Sequence, residues 1–186
     1  MRSVGVQRLL PTAHVRRFTM AVVTTYYHSP LGAIRISGTE SYVSEMLFED
    51  VPRQDAAENT SPGEIPRLII EAIEQLIQYF HGERRVFDLP INQAGTDFQQ
   101  KVWHELVNIP YGKTISYLEL SRRLGDPKVI RAAAAANGRN NICIIVPCHR
   151  VIGSNRDLVG YAGGIWRKRR LLELENKIAN GVQTLF

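Results

Sequence analysis

A thiol, an imidazole and a guanidinium stand side by side at Cys148, His149 and Arg150, directly after the apolar residues 144–146 and Pro147. A cysteine acts as a nucleophile when it is a thiolate, and cationic or imidazole neighbours lower its pKa. Because proline fixes φ and cannot extend a strand ladder, the apolar run predicts a strand that ends at Pro147 and carries Cys148 at its end. The sequence therefore indicates a nucleophilic cysteine, and a small buried cysteine at a strand end is the alternative.

Cysteine chemistry is confined to Cys143 and Cys148, which stand five positions apart. Two cysteines are too few for a disulfide framework and fit a reducing compartment, so a cytoplasmic location is expected. With His149 they offer three zinc ligands where a structural site needs about four, and we predict no metal and no cofactor. No apolar run approaches the roughly 20 residues of a membrane span, so no membrane partner is expected.

Charge is distributed unevenly along the 186 residues. Residues 20–112 carry 6 basic and 13 acidic side chains, whereas residues 113–186 carry 13 basic and 5 acidic ones. This asymmetry predicts a polyanionic partner for the second half, with a solvated basic face that binds nothing as the alternative. Residues 1–21 contain four arginines and no acid, and we interpret them as a disordered tail or as sequence upstream of the true start.

The elements that must position this chemistry divide the chain into two predicted domains. Residues 22–92 predict a small α/β domain with strands near 22–27, 33–36 and 42–48, a turn at 29–32, a loop at 49–63 and an amphipathic helix at 68–80 that ends near Gly82. Its histidines, His28 and His81, have no cluster around them, so we expect them at the surface or in structural roles.

Residues 93–186 predict a mainly helical second domain. Capping boxes at Thr96 and Ser116 begin two helices. The first of these presents one apolar face, made of Phe98, Val102, Leu106 and Val107, with Trp103 expected in the core. The second ends at Gly125, Asp126 caps the helix that follows, and the pair has the proportions of a helix-turn-helix. The last helix is predicted to begin near Ile165.

The second helix of this pair has an unusual composition. Arg131 is followed by five alanines at residues 132–136, and Val129 and Ile130 are predicted to anchor the helix to the core. Alanine is the best helix former, so a merely stable helix is one interpretation. Alanines also remove every long side chain that would prevent close approach to another surface. Beside Lys128 and Arg131, this smooth surface predicts contact with a DNA groove and little reading of base sequence.

Several motifs occur in the order found in one protein family. They are Ser29-Pro30-Leu31-Gly32, Gly95-Thr96-Asp97-Phe98-Gln99, Ile109-Pro110-Tyr111-Gly112, Ser116-Tyr117, Pro147-Cys148-His149-Arg150, Tyr161-Ala162-Gly163-Gly164 and Leu171-Leu172-Glu173-Leu174-Glu175. Over about residues 22–178 the chain closely resembles the O6-alkylguanine-DNA alkyltransferases (methylated-DNA–protein cysteine methyltransferases). The resemblance implies an α/β (α+β) fold class: a ribonuclease H-like N-terminal α/β domain, then a mainly helical domain with the helix-turn-helix and the Pro-Cys-His-Arg strand end.

The resemblance also implies the reaction, which is DNA repair by direct reversal. An alkylated guanine, or an O4-alkylthymine, would be flipped out of duplex DNA, and its alkyl group would move irreversibly to Cys148 in a single turnover. The protein would act as a monomer that binds the minor groove, with cooperative binding left open. The implied catalytic residues are Cys148, His149, Glu175 and Asn140, where His149 acts through a water on the thiol and Glu175 orients His149.

The remaining implied roles concern binding. The residues implied to bind the substrate base are Tyr117, Val151, Tyr161, Ala162 and Gly163. The residues implied to bind DNA are Tyr117, Lys128, Arg131, Ala132, Ala135 and Ser154, with Arg131 as the finger that fills the gap left by the base. Arg150 is expected to be structural.

Two positions depart from the family pattern, and three other functions remain to be weighed. Ala162 stands where some members have serine, so a contact there must come from backbone N–H. Cys143 is interpreted as a buried strand residue, with a second alkylation or oxidation site left open.

The alternative functions are a catalytically silent lesion binder, a helix-turn-helix regulator, and a cysteine hydrolase that uses Cys148, His149 and Glu175. Cys148 argues against a silent lesion binder, and the five alanines argue against a regulator that reads base sequence. A cysteine hydrolase would have no use for the basic second half.

Overall fold

The three strands of the first half form an antiparallel sheet with the order β1-β2-β3. The computed structural model describes residues 22–50 and 65–181, so the predicted tail at 1–21 and most of the loop at 49–63 lie outside the described residues. The strands are β1 (Val23–Ser29), β2 (Gly32–Gly38) and β3 (Val43–Glu49). At the predicted turn between β1 and β2, Gly32 adopts φ 107°, a conformation that favours glycine.

Helix α1 (Arg67–His81) covers one face of this sheet and confirms the predicted amphipathic helix. Four of its apolar residues, Leu68, Ile69, Ala72 and Leu76, recur at helical spacing and are buried with Ile34 and Ile36 of β2, whereas Ile70 and Ile77 are exposed. The helix ends at Gly82, which takes the left-handed conformation with φ 82° and caps the last turn through its N–H. Near the end of α1, Tyr79 is fully buried and faces the second half of the chain.

The second half contains four helices and two short strands in the described residues. The elements are α2 (Asp97–Val107), β4 (Ile115–Ser116), α3 (Tyr117–Arg123), α4 (Ile130–Gly138), β5 (Val151–Ile152) and α5 (Ile165–Asn180). Thr96 begins α2 with a complete capping box, whereas Ser116 begins α3 by accepting from the N–H of Glu119 at 3.1 Å. Asp126 caps a single 3-10 turn, Pro127–Val129, which leads into α4. Strands β4 and β5 pair in parallel.

The strand predicted to end at Pro147 is absent, and this prediction was wrong. Ile142 makes one isolated bridge with Met46, and the chain then turns tightly, with φ 71° at Ile144 and a bond of 3.0 Å from the Val146 N–H to the Ile142 carbonyl. Cys148 opens a 3-10 turn, Cys148–Arg150, instead of following a strand. A short, fully buried apolar run looks the same in sequence whether it forms a strand or a turn, because both faces of the run are covered.

Helix α4 is anchored by its alanines, and the prediction that Ile130 anchors it was wrong. Ile130 is 37% exposed and Val129 is half-buried, while Ala133 and Ala136 are buried. The small side chains let α4 lie close to α2, where the Trp103 indole N–H donates to the Ala136 carbonyl at 2.9 Å. Trp103 is in the core as predicted, but Val107 at the end of α2 is 52% exposed and lies outside the apolar face.

The two halves meet along β3, and this junction positions the site. The Met46 N–H donates to the Asn141 carbonyl at 2.7 Å, and the Cys143 N–H donates to the Met46 carbonyl at 2.8 Å. These bonds fix the turn before Cys148 against the first domain. Within residues 22–50 and 65–181, no helix is long and apolar enough to cross a membrane.

Candidate active site

A cavity of about 150 Å³ opens between β3 and the second half of the chain. Its walls combine residues from both halves: Leu47, Phe48, Asn137, Gly138, Asn140, Cys143, Cys148, Tyr161, Ala162 and Gly163. The volume far exceeds the roughly 10–15 Å³ that one water needs. The structure thus brings together five of the residues that the sequence predicts for catalysis and base binding. It adds Leu47 and Phe48, which the sequence reasoning missed because the first domain offered no chemical motif.

The Cys148 thiol is almost fully buried at the cavity wall, with 5% exposure. The Asn140 amide donates to its sulfur at 3.1 Å and to the Val146 carbonyl at 2.7 Å, while its oxygen accepts from the Ile142 N–H at 3.0 Å. Asn140 therefore closes the turn before the cysteine with the bonds that a strand ladder would otherwise supply. Burial raises the pKa of the Cys148 thiol, opposed by Asn140 and by the charge of Lys168. The resting thiol is neutral and needs a base to ionise.

His149 provides a base whose orientation is fixed. Its Nε2 lies 2.8 Å from Oε1 of Glu175, and both side chains are fully buried. Burial raises the pKa of Glu175, but His149 and Arg150 more than offset this effect and hold the pKa below its ordinary value. Because Glu175 is an anion, Nε2 carries the proton and donates, which leaves Nδ1 as the basic nitrogen. Nδ1 is buried and has no hydrogen-bond partner among the described residues.

The pKa of His149 is lowered, mainly by burial and despite the attraction of Glu175. The imidazole is therefore neutral near pH 7 and able to take up a proton. A neutral imidazole next to a neutral thiol takes up the thiol proton only when the resulting thiolate is stabilised or consumed. This arrangement is chemically suited to nucleophilic attack by sulfur on a substrate held in the cavity.

Glu175 is the centre of a buried network that also fixes Arg150. The Arg150 guanidinium donates to both carboxylate oxygens at 2.9 Å and to the Ile109 carbonyl at 2.6 Å. The Tyr79 hydroxyl donates to Oε1 at 2.8 Å, and the Gly112 N–H donates to Oε2 at 3.1 Å. All of these contacts keep the carboxylate ionised and immobile, so Arg150 acts on the base and its orienter.

Two polar residues of the site were not identified from sequence. Asn137, in the last turn of α4, donates to the Tyr117 hydroxyl oxygen at 3.3 Å and to the Cys148 carbonyl at 3.4 Å. Lys168 is fully buried and donates to the carbonyls of Val151, Val159 and Gly160 at 2.7, 2.8 and 3.2 Å. In sequence it stands within Arg167-Lys168-Arg169-Arg170, which has the pattern of a solvated helix face. Its position one helical turn before Leu171 and Leu172 was the available signal.

The residues predicted to bind DNA lie outside the cavity. Lys128, Arg131, Ala132 and Ala135 are exposed on or just before α4, and Ser154 is exposed after β5. Neither Lys128 nor Arg131 forms an ion pair with any described side chain. Tyr117, at the start of α3, is half-buried, and its hydroxyl oxygen accepts from Asn137 of α4. The helix that carries this exposed surface also supplies Asn137 and Gly138 to the wall of the cavity that contains the thiol.

Comparison with known proteins gives the same family along nearly the whole described chain. The model of the 6-O-methylguanine DNA methyltransferase ribonuclease-like domain matches residues 22–93, and that of its DNA binding domain matches residues 97–177. The methylated-DNA–protein-cysteine methyltransferase of Mycobacterium tuberculosis (strain ATCC 25618 / H37Rv) is 44% identical over 158 residues, which cover 85% of this chain and 94% of that protein. The constitutive enzyme of that name from Bacillus subtilis (strain 168) is 46% identical over 142 residues, covering 75% and 86%.

Solved structures agree with these relatives. The crystal structure of the Mycobacterium tuberculosis O6-methylguanine methyltransferase superposes with a TM-score of 0.76 at 42% identity, covering 87% of this chain and 97% of that one. The OGT of the same organism in complex with DNA superposes with a TM-score of 0.72 at 42% identity, covering 84% and 93%. The chain belongs to the methylated-DNA–protein-cysteine methyltransferase (6-O-methylguanine DNA methyltransferase) family.

Proposed function

We propose that this protein repairs DNA by transferring an alkyl group from the O6 atom of guanine to the sulfur of Cys148. One observation carries the proposal: Cys148 lines a cavity large enough for a small molecule and adjoins His149, whose buried Nε2 is oriented by Glu175. Family membership supports the same activity, since the relatives are named for it. O4-alkylthymine is a second proposed substrate. The two free cysteines suit a cytoplasmic location.

The proposed reaction is a displacement at the alkyl carbon. The Cys148 proton passes through a water to Nδ1 of His149, the sulfur forms a bond to carbon, and the carbon–O6 bond breaks. The departing guanine anion takes a proton back from His149. Guanine is thereby restored to its unmodified form, and His149 is neutral again. The product is a thioether, which has no carbonyl for water to attack. Each protein molecule therefore reacts once.

The proposed DNA complex follows from where the cavity lies. The O6 atom is inaccessible within the base stack, so the nucleotide must rotate out of the duplex to reach Cys148. Tyr117 bonds Asn137 at the cavity wall, and we assign it contact with the base and its phosphate. The face of α4 would enter the minor groove, with Arg131 filling the space left by the base. Ala132 and Ala135 allow the close approach, and Lys128 and Ser154 contact the backbone.

The test is intact-mass measurement after incubation with duplex DNA that contains O6-methylguanine. We expect one methyl group per protein, located on Cys148 by peptide mapping. Cys148→Ala should take up none, whereas Cys143→Ala should react normally, because burial raises the pKa of the Cys143 thiol and no histidine stands beside it in the chain. Methyl uptake by the Cys148→Ala protein would refute the assignment of the nucleophile. Release of the alkyl group with repeated turnover would indicate a cysteine hydrolase instead.

A further inference from the structure

The carboxylate of Glu175 accepts more hydrogen bonds than its oxygens can hold at full strength. Oε1 accepts from His149 Nε2 at 2.8 Å and from the Tyr79 hydroxyl at 2.8 Å. The Arg150 guanidinium donates to Oε1 and to Oε2, each at 2.9 Å, and the Gly112 N–H donates to Oε2 at 3.1 Å. The described residues thus supply five hydrogen bonds, whereas an ionised carboxylate offers about four lone-pair sites. Three of these bonds share Oε1, so Tyr79 and His149 compete for one oxygen.

Tyr79 is the donor that comes from the first domain. It lies near the end of α1, 96 positions before Glu175 in the chain, and its side chain is fully buried. Its ring centroid lies 5.4 Å from that of Phe80, 5.6 Å from that of Phe87 and 6.0 Å from that of Tyr111, so the aromatic packing of the ring does not depend on the hydroxyl. Burial and the charge of Glu175 raise the pKa of Tyr79 well above its ordinary value, so the hydroxyl keeps its proton and donates.

We propose that Tyr79 is a positioning residue of the alkyl transfer, which acts on His149 through Glu175 and weakens the hold of the carboxylate on the imidazole. A donor on Oε1 takes up part of the negative charge that would otherwise stabilise the protonated imidazole. Tyr79 thus lowers the proton affinity of His149, and a base must be neutral before it can take the thiol proton. This role rests on the proposed function, and it makes the first domain part of the catalytic machinery.

Tyr79 contributes a hydrogen bond but no charge to the surroundings of His149 and Glu175. The charges of Arg150 and Lys168 lower the pKa of His149, and the charge of Glu175 raises it. The other titratable groups close to the pair are the Cys148 thiol, which adjoins His149 in the chain, and the Tyr111 hydroxyl, whose pKa Glu175 raises. Tyr79→Phe leaves all of these groups in place and removes one hydrogen bond.

The test is the pH dependence of alkylation in the Tyr79→Phe protein. The rate at which Cys148 reacts with O6-benzylguanine is measured by intact mass across the acidic and neutral range. We expect the midpoint of the acidic decline to rise by about 0.5–1 pH unit, because a charge-assisted hydrogen bond changes a protonation equilibrium by about threefold to tenfold. The rate near neutral pH should stay within about threefold of the natural one, because His149 and Arg150 still hold Glu175 in place.

Tyr111→Phe is the matched control. It removes the hydroxyl of the neighbouring ring, which has no hydrogen-bond partner among the described residues, and should leave the midpoint unchanged. Tyr79→Met also removes the donor and should give the same rise if the phenylalanine variant folds poorly, and urea unfolding measures the stability of all variants. An NMR titration of the His149 imidazole, assigned through a His149→Gln protein, should show the same upward shift in the absence of any substrate.

The outcomes separate this role from the proposed function. A rise in both the rate midpoint and the imidazole titration that Tyr111→Phe does not share supports the role of Tyr79. A midpoint that falls or moves by less than about 0.2 pH unit, a rise without a shift in the imidazole titration, or an equal rise in Tyr111→Phe overturns it. If Cys148 of the natural protein takes up no alkyl group, the proposed function fails, and the imidazole titration alone decides whether Tyr79 acts on His149.

Discussion

Replacement of Glu175 by glutamine removes one charge from a fully buried network. The carboxylate accepts hydrogen bonds from His149, Arg150, Tyr79 and Gly112. A glutamine amide must turn its NH₂ group toward some of these donors, because donors face both oxygen positions. The Arg150 guanidinium would also lose its counter-ion at a site where its charge is almost fully buried. Removal of one partner from a buried ion pair costs about 3–5 kcal/mol, and we expect a loss of unfolding free energy in that range.

The effect of Glu175→Gln on stability should depend on pH with a defined sign. Burial raises the pKa of Glu175, but His149 and Arg150 outweigh it and hold the pKa below the ordinary 4.5. A group whose pKa is depressed by folding stabilises fully above its unfolded-state pKa, and this stabilisation is lost as pH falls through the folded-state pKa. The unfolding free energy of the natural protein should therefore exceed that of the variant by the full amount near neutral pH. This difference in unfolding free energy should shrink below pH 4.5.

The reactivity of Cys148 should fall together with stability. Without an anionic partner, His149 loses its fixed tautomer and part of its basicity, so we expect alkylation to slow about 100-fold, the scale of a lost general base. Urea unfolding would measure stability, and the rate of reaction with O6-benzylguanine would measure the reactivity of the folded protein without urea. Glu173→Gln is the matched control, because it makes the same substitution on the same helix at a pair whose Arg170 partner, 3.1 Å away, is exposed. We expect this control to lower the unfolding free energy by less than about 1 kcal/mol. An alkylation rate within threefold of the natural one, about 0.6 kcal/mol in barrier, would refute the role of Glu175.

Three further predictions address the DNA surface, the loop before α5 and the base. Arg131→Ala should slow repair of duplex DNA far more than reaction with free O6-benzylguanine, since Arg131 is exposed on α4; equal slowing would contradict a base-displacing finger. Lys168→Met should leave three backbone carbonyls without their donor and lower the unfolding free energy by about 3 kcal/mol, whereas Arg169→Met, at its exposed neighbour, should be nearly neutral in the same urea titration. The alkylation rate should decline as pH falls, with a midpoint below pH 6.5, because burial lowers the pKa of His149 from 6.5; a midpoint above pH 6.5 would contradict this direction.

Local chemistry in the sequence was sufficient for most helix ends and for the nucleophile. Thr96 and Gly82 mark helix boundaries because a side-chain oxygen or a positive φ satisfies the terminal backbone groups within a few residues. Cys148 and His149 are adjacent in the chain, so their pairing needs no knowledge of the fold. The amphipathic period of α1 likewise depends only on which residues prefer the interior.

The course of the chain before Cys148 depended on contacts between the two halves. A buried apolar run predicts burial but no particular backbone form, and here the Asn140 side chain and β3 replace the expected ladder. The alanines of α4 were interpreted as an exposed contact surface, yet Ala133 and Ala136 are core. A helix of small residues has little hydrophobic contrast between its faces, so its rotation is set by the neighbour it packs against.

The sequence by itself determined that a thiol and an imidazole stand together beside a basic half, and the family motifs indicated what they act upon. The resemblance implied that Glu175 orients His149, but only the tertiary structure showed that Arg150 binds the same carboxylate, placed Asn137 and Lys168 in the interior, and closed the cavity with Leu47 and Phe48. The physical reason is the range of the interactions. Helix caps act over a few residues, whereas a buried charge or amide pairs with groups that packing brings close from anywhere in the chain. No periodicity in the sequence predicts which distant residues those partners are.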